Sequence, residues 1–348
     1  MKKIVALVLA LCVLLPVGAM AQEVVNVYNW FDYIDESVLE QFEEETGIHV
    51  NYINFTTNED MMVKLDSDRG AFDVAFPSEY CVQRLINNDM LLELDYSQIP
   101  NFSHIRENLK DPSYDPQNAH SVPYMAGTLG ILYNTEKVDE ADVHTWSVLW
   151  NEKYKGQVLM MDSMRDTLGL ALKYLGYSMN STDYTQISAA KDLLVKQKQD
   201  GFVMAYGLDE FKDKMVAGDG ALAVVYSGDA EYAIELNDKL AYVIPDEGSN
   251  IWVDCAVIPK DARNVENAYK FIDFLCRPDI AQKNVEAIWY MSVNQDAIDL
   301  MGEDYSSLYV LNPTDEEVAR CEYFNDLDSS WLTVYNTLWQ EVKNAKQN

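Results

Sequence analysis

The chain has 348 residues and a formal net charge of -31, from 57 acidic against 26 basic side chains, with hydrophobic residues at 48%. That is ample for a sizeable core, and the length suggests two domains. The charge makes nucleic acid and anionic lipid surfaces poor partners and draws in cations, although ordinary solubilising surface accounts for most of the acids.

In chain order, Lys2 and Lys3 precede an apolar run from Ile4 to Val17 and a small-residue site at Ala19-Met20-Ala21. This reads as a secretory signal peptide over 1–21, too short and wrongly flanked for a spanning helix. Cys12 lies inside the run rather than at its end, so soluble export is expected rather than lipid anchoring. No later apolar run approaches membrane-spanning length.

The opening third alternates strand and helix: strand Val24 to Tyr28, helix Ser37 to Thr46, strand Ile48 to Ile53, helix Glu59 to Asp66, strand Phe72 to Phe76. Asp35 or Ser37 suits a helix cap, and Gly47 is where that helix should stop. Further strands are expected at Gln157 to Met161, Ala221 to Tyr226, Leu240 to Ile244, Trp252 to Asp254 and Cys255 to Ile258. Helices are expected at Thr167 to Leu175, Tyr184 to Gln199 and Val265 to Leu275, with a helical, polar tail. Such alternation implies an α/β protein with a mainly parallel sheet covered on both faces. Ligands of such sheets sit beyond the carboxyl ends of the strands, where Asn29-Trp30-Phe31-Asp32-Tyr33 and Pro77-Ser78-Glu79-Tyr80 fall. No Pro/Gly/Ser linker separates two halves, so the chain is expected to cross between lobes more than once and form a hinge.

Several chemistries are set aside. Gly218-Asp219-Gly220-Ala221-Leu222-Ala223 matches the letter of a dinucleotide fingerprint, but a helix precedes it and a strand follows, so it reads as a turn. His49, His104, His120 and His144 are scattered, and Cys81, Cys255, Cys276 and Cys321 lack C-x-x-C spacing. No metal site and no cofactor are expected. The four cysteines suit buried thiols or one or two disulfides equally. Asp162 with Asp166, or Asp229 with Glu231, could serve a glycosidase, but acids are so frequent here that such spacings arise by chance.

A more specific pattern is aromatic residues beside acids or polar groups at five strand or loop ends: Trp30, Asp32 and Tyr33; Ser78 and Tyr80; Tyr226 and Asp229; Trp252 and Asp254; Trp289 and Tyr290. Each alone is more often a lid on the core or a turn former. Their recurrence suits an aliphatic chain bearing ammonium groups, with carboxylates for the charges and ring faces for the methylenes.

The chain resembles the periplasmic spermidine/putrescine-binding proteins that feed polyamine ABC importers. The resemblance runs from VYNWFDYI through FDVAFPSEY, SVPYMAGTLGILYN and SVLWNEKYKGQVLMMDSMRD to WVDCAVIPKDARNVENAYKFIDFLCRPDIA, covering essentially the whole mature chain. It implies a type II periplasmic binding protein: two α/β lobes with mainly parallel central sheets joined by crossover hinge segments. The expected division is 22–130 plus 255–300 against 131–254 plus 301–348. It also implies a periplasmic, monomeric receptor that passes a polyamine to a membrane permease, without catalysis. Trp30, Tyr33, Tyr80, Tyr226, Trp252 and Tyr290 resemble the rings around the methylene chain. Asp254 resembles the carboxylate that holds an amino group, Asp166 stands where Glu is usual, and Ser78 is similar to a polar contact. Asp32 stands beside the first Trp where both subtypes have an acid, one that helps bind in the putrescine-preferring members, and Asp229 resembles an acid of those members. Ser163, Phe324 and Phe31 depart from the family pattern, so the resemblance implies a polyamine without selecting one. A receptor for another organic cation is the nearest alternative, ahead of an exported glycosidase or a surface interaction protein.

Overall fold

Val24–Trp30 (β1) forms the first strand of a computed structural model that describes residues 22–31 and 33–346. The signal-peptide reading and Asp32 lie outside these residues. Asp35 caps Glu36–Thr46 (α1) by accepting a hydrogen bond from the Ser37 amide, and Gly47 ends it in the left-handed region at φ 73. Glycine takes that conformation without the steric penalty of a Cβ, and its N–H returns to the Glu43 carbonyl. His49–Phe55 (β2) and Val74–Ala75 (β3) pair parallel to β1 on either side, with Asn58–Ser67 (α2) between them in sequence and Glu79–Asn87 (α3) following.

The strand that organises the molecule is Ser121–Asn134 (β4), all 14 residues of it buried. Next come Val158–Met161 (β5), Met164–Tyr174 (α4), Tyr184–Gln199 (α5), Val203–Gly207 (β6), Glu210–Ala217 (α6), Leu222–Tyr226 (β7), Ser227–Leu236 (α7) and Leu240–Val243 (β8). The chain continues with Ile251–Val257 (β9), Val265–Leu275 (α8), Pro278–Ile288 (α9), Met291–Ser292 (β10), Gln295–Ser306 (α10), Asp315–Arg320 (α11) and Ser329–Asn344 (α12). The sheet runs β2-β1-β3-β9-β4-β7-β5-β6, with β8 and β10 also on β4.

The α/β class holds, and the pairing is mixed rather than mainly parallel. Parallel ladders join β1 to β2 and β3, and β5 to β6 and β7. Everything on β4 is antiparallel: its first half, Ser121 to Thr128, pairs with β9, and its second half, Leu129 to Asn134, with β7 and β8. One strand thus links the two halves of the sheet by changing partners at its midpoint. The first core gathers Val25 to Ala126 with Ile251 to Leu311. Beyond the midpoint of β4 one cluster gathers Leu129 to Val243 with Leu327 to Val342 and a smaller one joins Leu132 with Phe211, Ala230 and Tyr242, together the second core, so the change of core coincides with the change of partner.

The expected helix Thr167 to Leu175 starts three residues earlier because Ser163 caps it, its side chain accepting from the Asp166 amide. Asp166 therefore sits in the first turn, where the helix dipole favours a carboxylate. The two strand pieces expected at Trp252 to Ile258 are one strand, β9. Gly218 is the left-handed end of α6 and β7 follows, so this segment is a turn. Cys81, Cys255, Cys276 and Cys321 are all free thiols, the first three buried. Among the described residues, no helix is long and apolar enough to cross a membrane.

Candidate ligand-binding site

The strand ends singled out in sequence converge where the two cores meet. Asp254, buried in β9, is held from both sides: the Tyr33 hydroxyl donates to Oδ2 at 2.8 Å and the Ser78 hydroxyl to Oδ1 at 2.6 Å. Ser78 is placed by the N-terminus of α3, of which it is the cap residue, and by an isolated bridge to Asp254. Asn58, buried in the first turn of α2, donates to the Ser78 Oγ at 2.9 Å and the Tyr80 hydroxyl at 3.0 Å. One amide thereby fixes both polar contacts of the Pro77-Ser78-Glu79-Tyr80 turn.

From Tyr33 a chain of rings crosses to the second core. Tyr33 meets Tyr290 at 5.9 Å, Tyr290 meets Trp252 edge-on at 5.0 Å, and Trp252 meets Tyr226 at 6.1 Å. The Tyr226 hydroxyl donates to Asp166 Oδ2 at 3.0 Å, and the Ser163 hydroxyl donates to the same oxygen. The other oxygen of Asp166 is buried without a hydrogen-bond partner, as are the indole nitrogens of Trp30 and Trp252. Buried polar atoms in native proteins nearly always find partners, so the unpaired atoms of Asp166 and Trp252, joined through Tyr226, are candidate contacts for a polar ligand. Trp30 is half-buried at the end of β1, its ring 4.5 Å from Phe55. Tyr290 is set by Trp289, which ends α9 with a left-handed φ of 63. A bulky residue rarely adopts that conformation, which costs about 1–3 kcal/mol.

Two glycines make room for the rings. A Cβ on Gly127 would lie 2.3 Å from the Trp252 indole, and one on Gly228 2.2 Å from the Tyr290 ring. Asp229, in the first turn of α7, does not face the rings as a free acid; its Oδ1 is 3.0 Å from the Lys212 ammonium. Of the acids weighed for a glycosidase, Asp162 is exposed and ion-paired with Lys343, while Glu231 is buried in α7.

Burial governs the titration. It pushes the Asp254 carboxyl up to about 6, against the Ser78 and Tyr33 hydroxyls, which hold it down. Asp166 and Asp229 are also raised by burial, Asp166 against the Ser163 and Tyr226 hydroxyls and Asp229 against the Lys212 charge. Sequence reasoning passed over Glu79, which is buried and accepts from the Val253 amide and the Phe324 amide, each at 3.2 Å. Burial above all pushes Glu79 up to about 8, with the Asp254 charge adding to it and those amides opposing it. It lies between two residues already named, but only the fold reveals that its carboxylate points inward to β9 and to the segment before α12.

A raised carboxyl pKa means the folded chain binds more protons than the unfolded one, so stability falls as pH climbs from the unfolded value through the folded one. For Glu79 the window is from about 4.5 to about 8. Glu79→Gln, which removes the titration and keeps the shape, should melt near wild type at the acid end. Its advantage over wild type should grow as pH rises across that window. A melting difference that does not change with pH would contradict the assignment.

The assembly sets hydroxyl-buffered carboxylates at separate points with edge-on rings between them, chemistry that suits a narrow, partly apolar cation. Among the described residues, no group of three or more His, Cys, Asp or Glu could hold a metal ion. Comparison with known proteins supports this chemistry. Residues 37–309 match the family described as bacterial extracellular solute-binding protein. The chain is 35% identical to the spermidine/putrescine-binding periplasmic protein of Escherichia coli, over 91% of this chain and 90% of that one. It is 32% identical to the putrescine-binding periplasmic protein SpuD of Pseudomonas aeruginosa, over 99% of this chain and 100% of that one. A crystal structure of a spermidine/putrescine ABC transporter substrate-binding protein from Streptococcus pneumoniae superimposes with a TM-score of 0.84 at 39% identity, covering 92% of this chain and 98% of that one.

Proposed function

The chain belongs to the bacterial extracellular solute-binding protein family, whose members are receptors for transport and not enzymes, and from that premise we propose that it captures a linear polyamine. The ligand lies between the two cores and is handed to the permease of an ABC importer. The observation that carries the reading is the ring chain Tyr33, Tyr290, Trp252 and Tyr226, which has Asp254 at one end and Asp166 at the other. Ammonium groups would go to the two carboxylates and methylenes along the ring faces, each cation–π contact contributing about 1–2 kcal/mol once desolvated. Trp30, Ser78 and Tyr80 complete the proposed wall; Asp32 belongs with them by its place in the sequence.

Closure follows from the same arrangement. Tyr33 packs with the first core, as do Val253 and Cys255 on either side of Asp254, and Tyr226 packs with the second, so a ligand touching both ends favours the state in which the cores approach. We read the two cores as two lobes, joined at the midpoint of β4, before β9 and before α12. We also read the receptor as a monomer exported by residues 1–21 and acting in the periplasm. Its negative charge speeds the approach of a polycation and makes that approach salt-sensitive.

Thermal unfolding with a panel of small molecules tests the assignment. Putrescine, cadaverine and spermidine should raise the melting temperature, because a ligand of the native state stabilises it by mass action. Glucose, arginine and glycine betaine should leave it in place. A shift with one of these three and none with the amines would overturn the reading.

A further inference from the structure

Lys212 is the one cation ion-paired to a candidate carboxylate of the site among the described residues, and its position has a chemical consequence. Its ammonium lies 3.0 Å from Asp229 Oδ1, and the Asp229 side chain is 11% exposed. The neighbouring residue, Gly228, packs against the Tyr290 ring, and the Asp229 charge acts on the Tyr290 hydroxyl, as does that of Asp254. Asp209 acts on it as well, and the two candidate site acids, Asp229 and Asp254, differ in how they are held. Asp254 is held by the hydroxyls of Tyr33 and Ser78, and Asp166 by those of Ser163 and Tyr226. Both are held by neutral donors and, among the described residues, neither is ion-paired, although the Arg165 charge reaches Asp166. Asp229 has its charge met by a side chain of the protein.

We propose that Lys212 is a built-in competitor that sets how many ammonium groups the site accepts. It stands at Asp229 where a ligand nitrogen would stand, so the site takes a dication at Asp254 and Asp166 and resists a third ammonium. The proposal rests on the polyamine reading above. The lysine is built to exchange rather than to lock. It lies on α6 with its side chain 30% exposed, its ammonium 5.4 Å from the centre of the Tyr232 ring. Asp209 and Asp213 also act on its charge, so a displaced ammonium would still have exposed carboxylates to turn to. The carboxylate facing Lys212 at contact distance is Asp229, and burial would drive that acid toward its neutral form without the lysine. A triamine therefore gains Asp229 only by taking over the ion pair that Lys212 already makes.

The test is the ratio of putrescine to spermidine dissociation constants, measured calorimetrically on the full mature chain and on Lys212→Met, Lys212→Arg and the double variant Lys212→Met, Asp229→Asn. Lys212→Met should shift the ratio toward spermidine by about tenfold or more, since the largely buried Asp229 carboxylate becomes available to the ligand. Lys212→Arg should restore the wild-type ratio, and the double variant should lose the shift. If the wild type binds amines and Lys212→Met leaves the ratio within twofold, the competitor role is overturned while the receptor reading stands. Should Lys212→Met fail to fold, the arginine variant still decides: a shift toward spermidine with the charge retained overturns the proposal. Wild-type protein that binds neither amine overturns the receptor reading, and this inference with it.

Discussion

Asp254→Asn lowers the affinity for putrescine and spermidine by about 2–5 kcal/mol, a loss of roughly thirtyfold to several thousandfold. Asparagine keeps the shape and one acceptor oxygen but not the charge, and a ligand ammonium desolvated beside it would be left unpaired. The two hydroxyls now on Asp254, from Tyr33 and Ser78, lie at 2.8 and 2.6 Å and would find only one acceptor between them. The ligand-free variant should nevertheless melt at or above the wild-type temperature at neutral pH. Burial raises this carboxyl to about 6, so its ionised form is a cost to the fold above that pH. Loss of binding with retained stability separates a site residue from a structural one. An affinity within threefold of wild type would remove Asp254 from the site.

Gly127→Val is the second large effect, and it acts through a ring rather than a charge. Gly127 stands opposite Trp252 in the β4–β9 ladder, and a Cβ there would fall 2.3 Å from the indole. No rotamer of valine escapes this, because the clash is with Cβ itself. The strand must shift or Trp252 must leave its place between Tyr226 and Tyr290. Overpacking of this kind costs about 1–3 kcal/mol of stability. Loss of the ring's position should weaken amine binding at least tenfold, given about 1–2 kcal/mol for one desolvated cation–π contact and further loss of packing on the methylenes. Calorimetry on the purified variant reads the binding and thermal unfolding the stability. Unchanged affinity would mean that Trp252 does not touch the ligand.

Much of this architecture is legible in the amino-acid sequence. Tyr184–Gln199 and Val265–Leu275 are helices residue for residue as expected, because their apolar spacing and flanking stops are local signals. The Asp35 cap and the Gly47 stop are local as well. What local pattern could not carry is β4. Ser121–Asn134 is buried on both faces and so shows no alternation, and it contains Pro123 and two glycines that read as breaks. Those glycines are where Trp252 and the Tyr242 ring come within van der Waals reach of the backbone, a reason visible only across the sheet. The mixed pairing has the same origin, since β4 takes partners about a hundred residues further along the chain.

The site divides in the same way. Tyr33, Ser78, Asp166, Tyr226, Trp252, Asp254 and Tyr290 are marked by their place at element ends or by the family resemblance, and the fold joins them in one network of hydrogen bonds and ring contacts. Asn58, Glu79 and Lys212 carry no such mark. Asn58 and Glu79 act through partners distant in sequence, and Lys212 is one lysine on the half-buried face of a surface helix until Asp229 is placed beside it.

The measurement that bears most directly on the account is isothermal titration of residues 22–348, stripped of ligand by unfolding and refolding, with putrescine, cadaverine and spermidine in turn. One-to-one binding at micromolar strength or tighter is the expected result, with the diamines preferred while Lys212 holds Asp229. No heat with any of the three, from protein that refolds to a cooperative melt, would contradict the polyamine receptor and leave the fold with a different ligand.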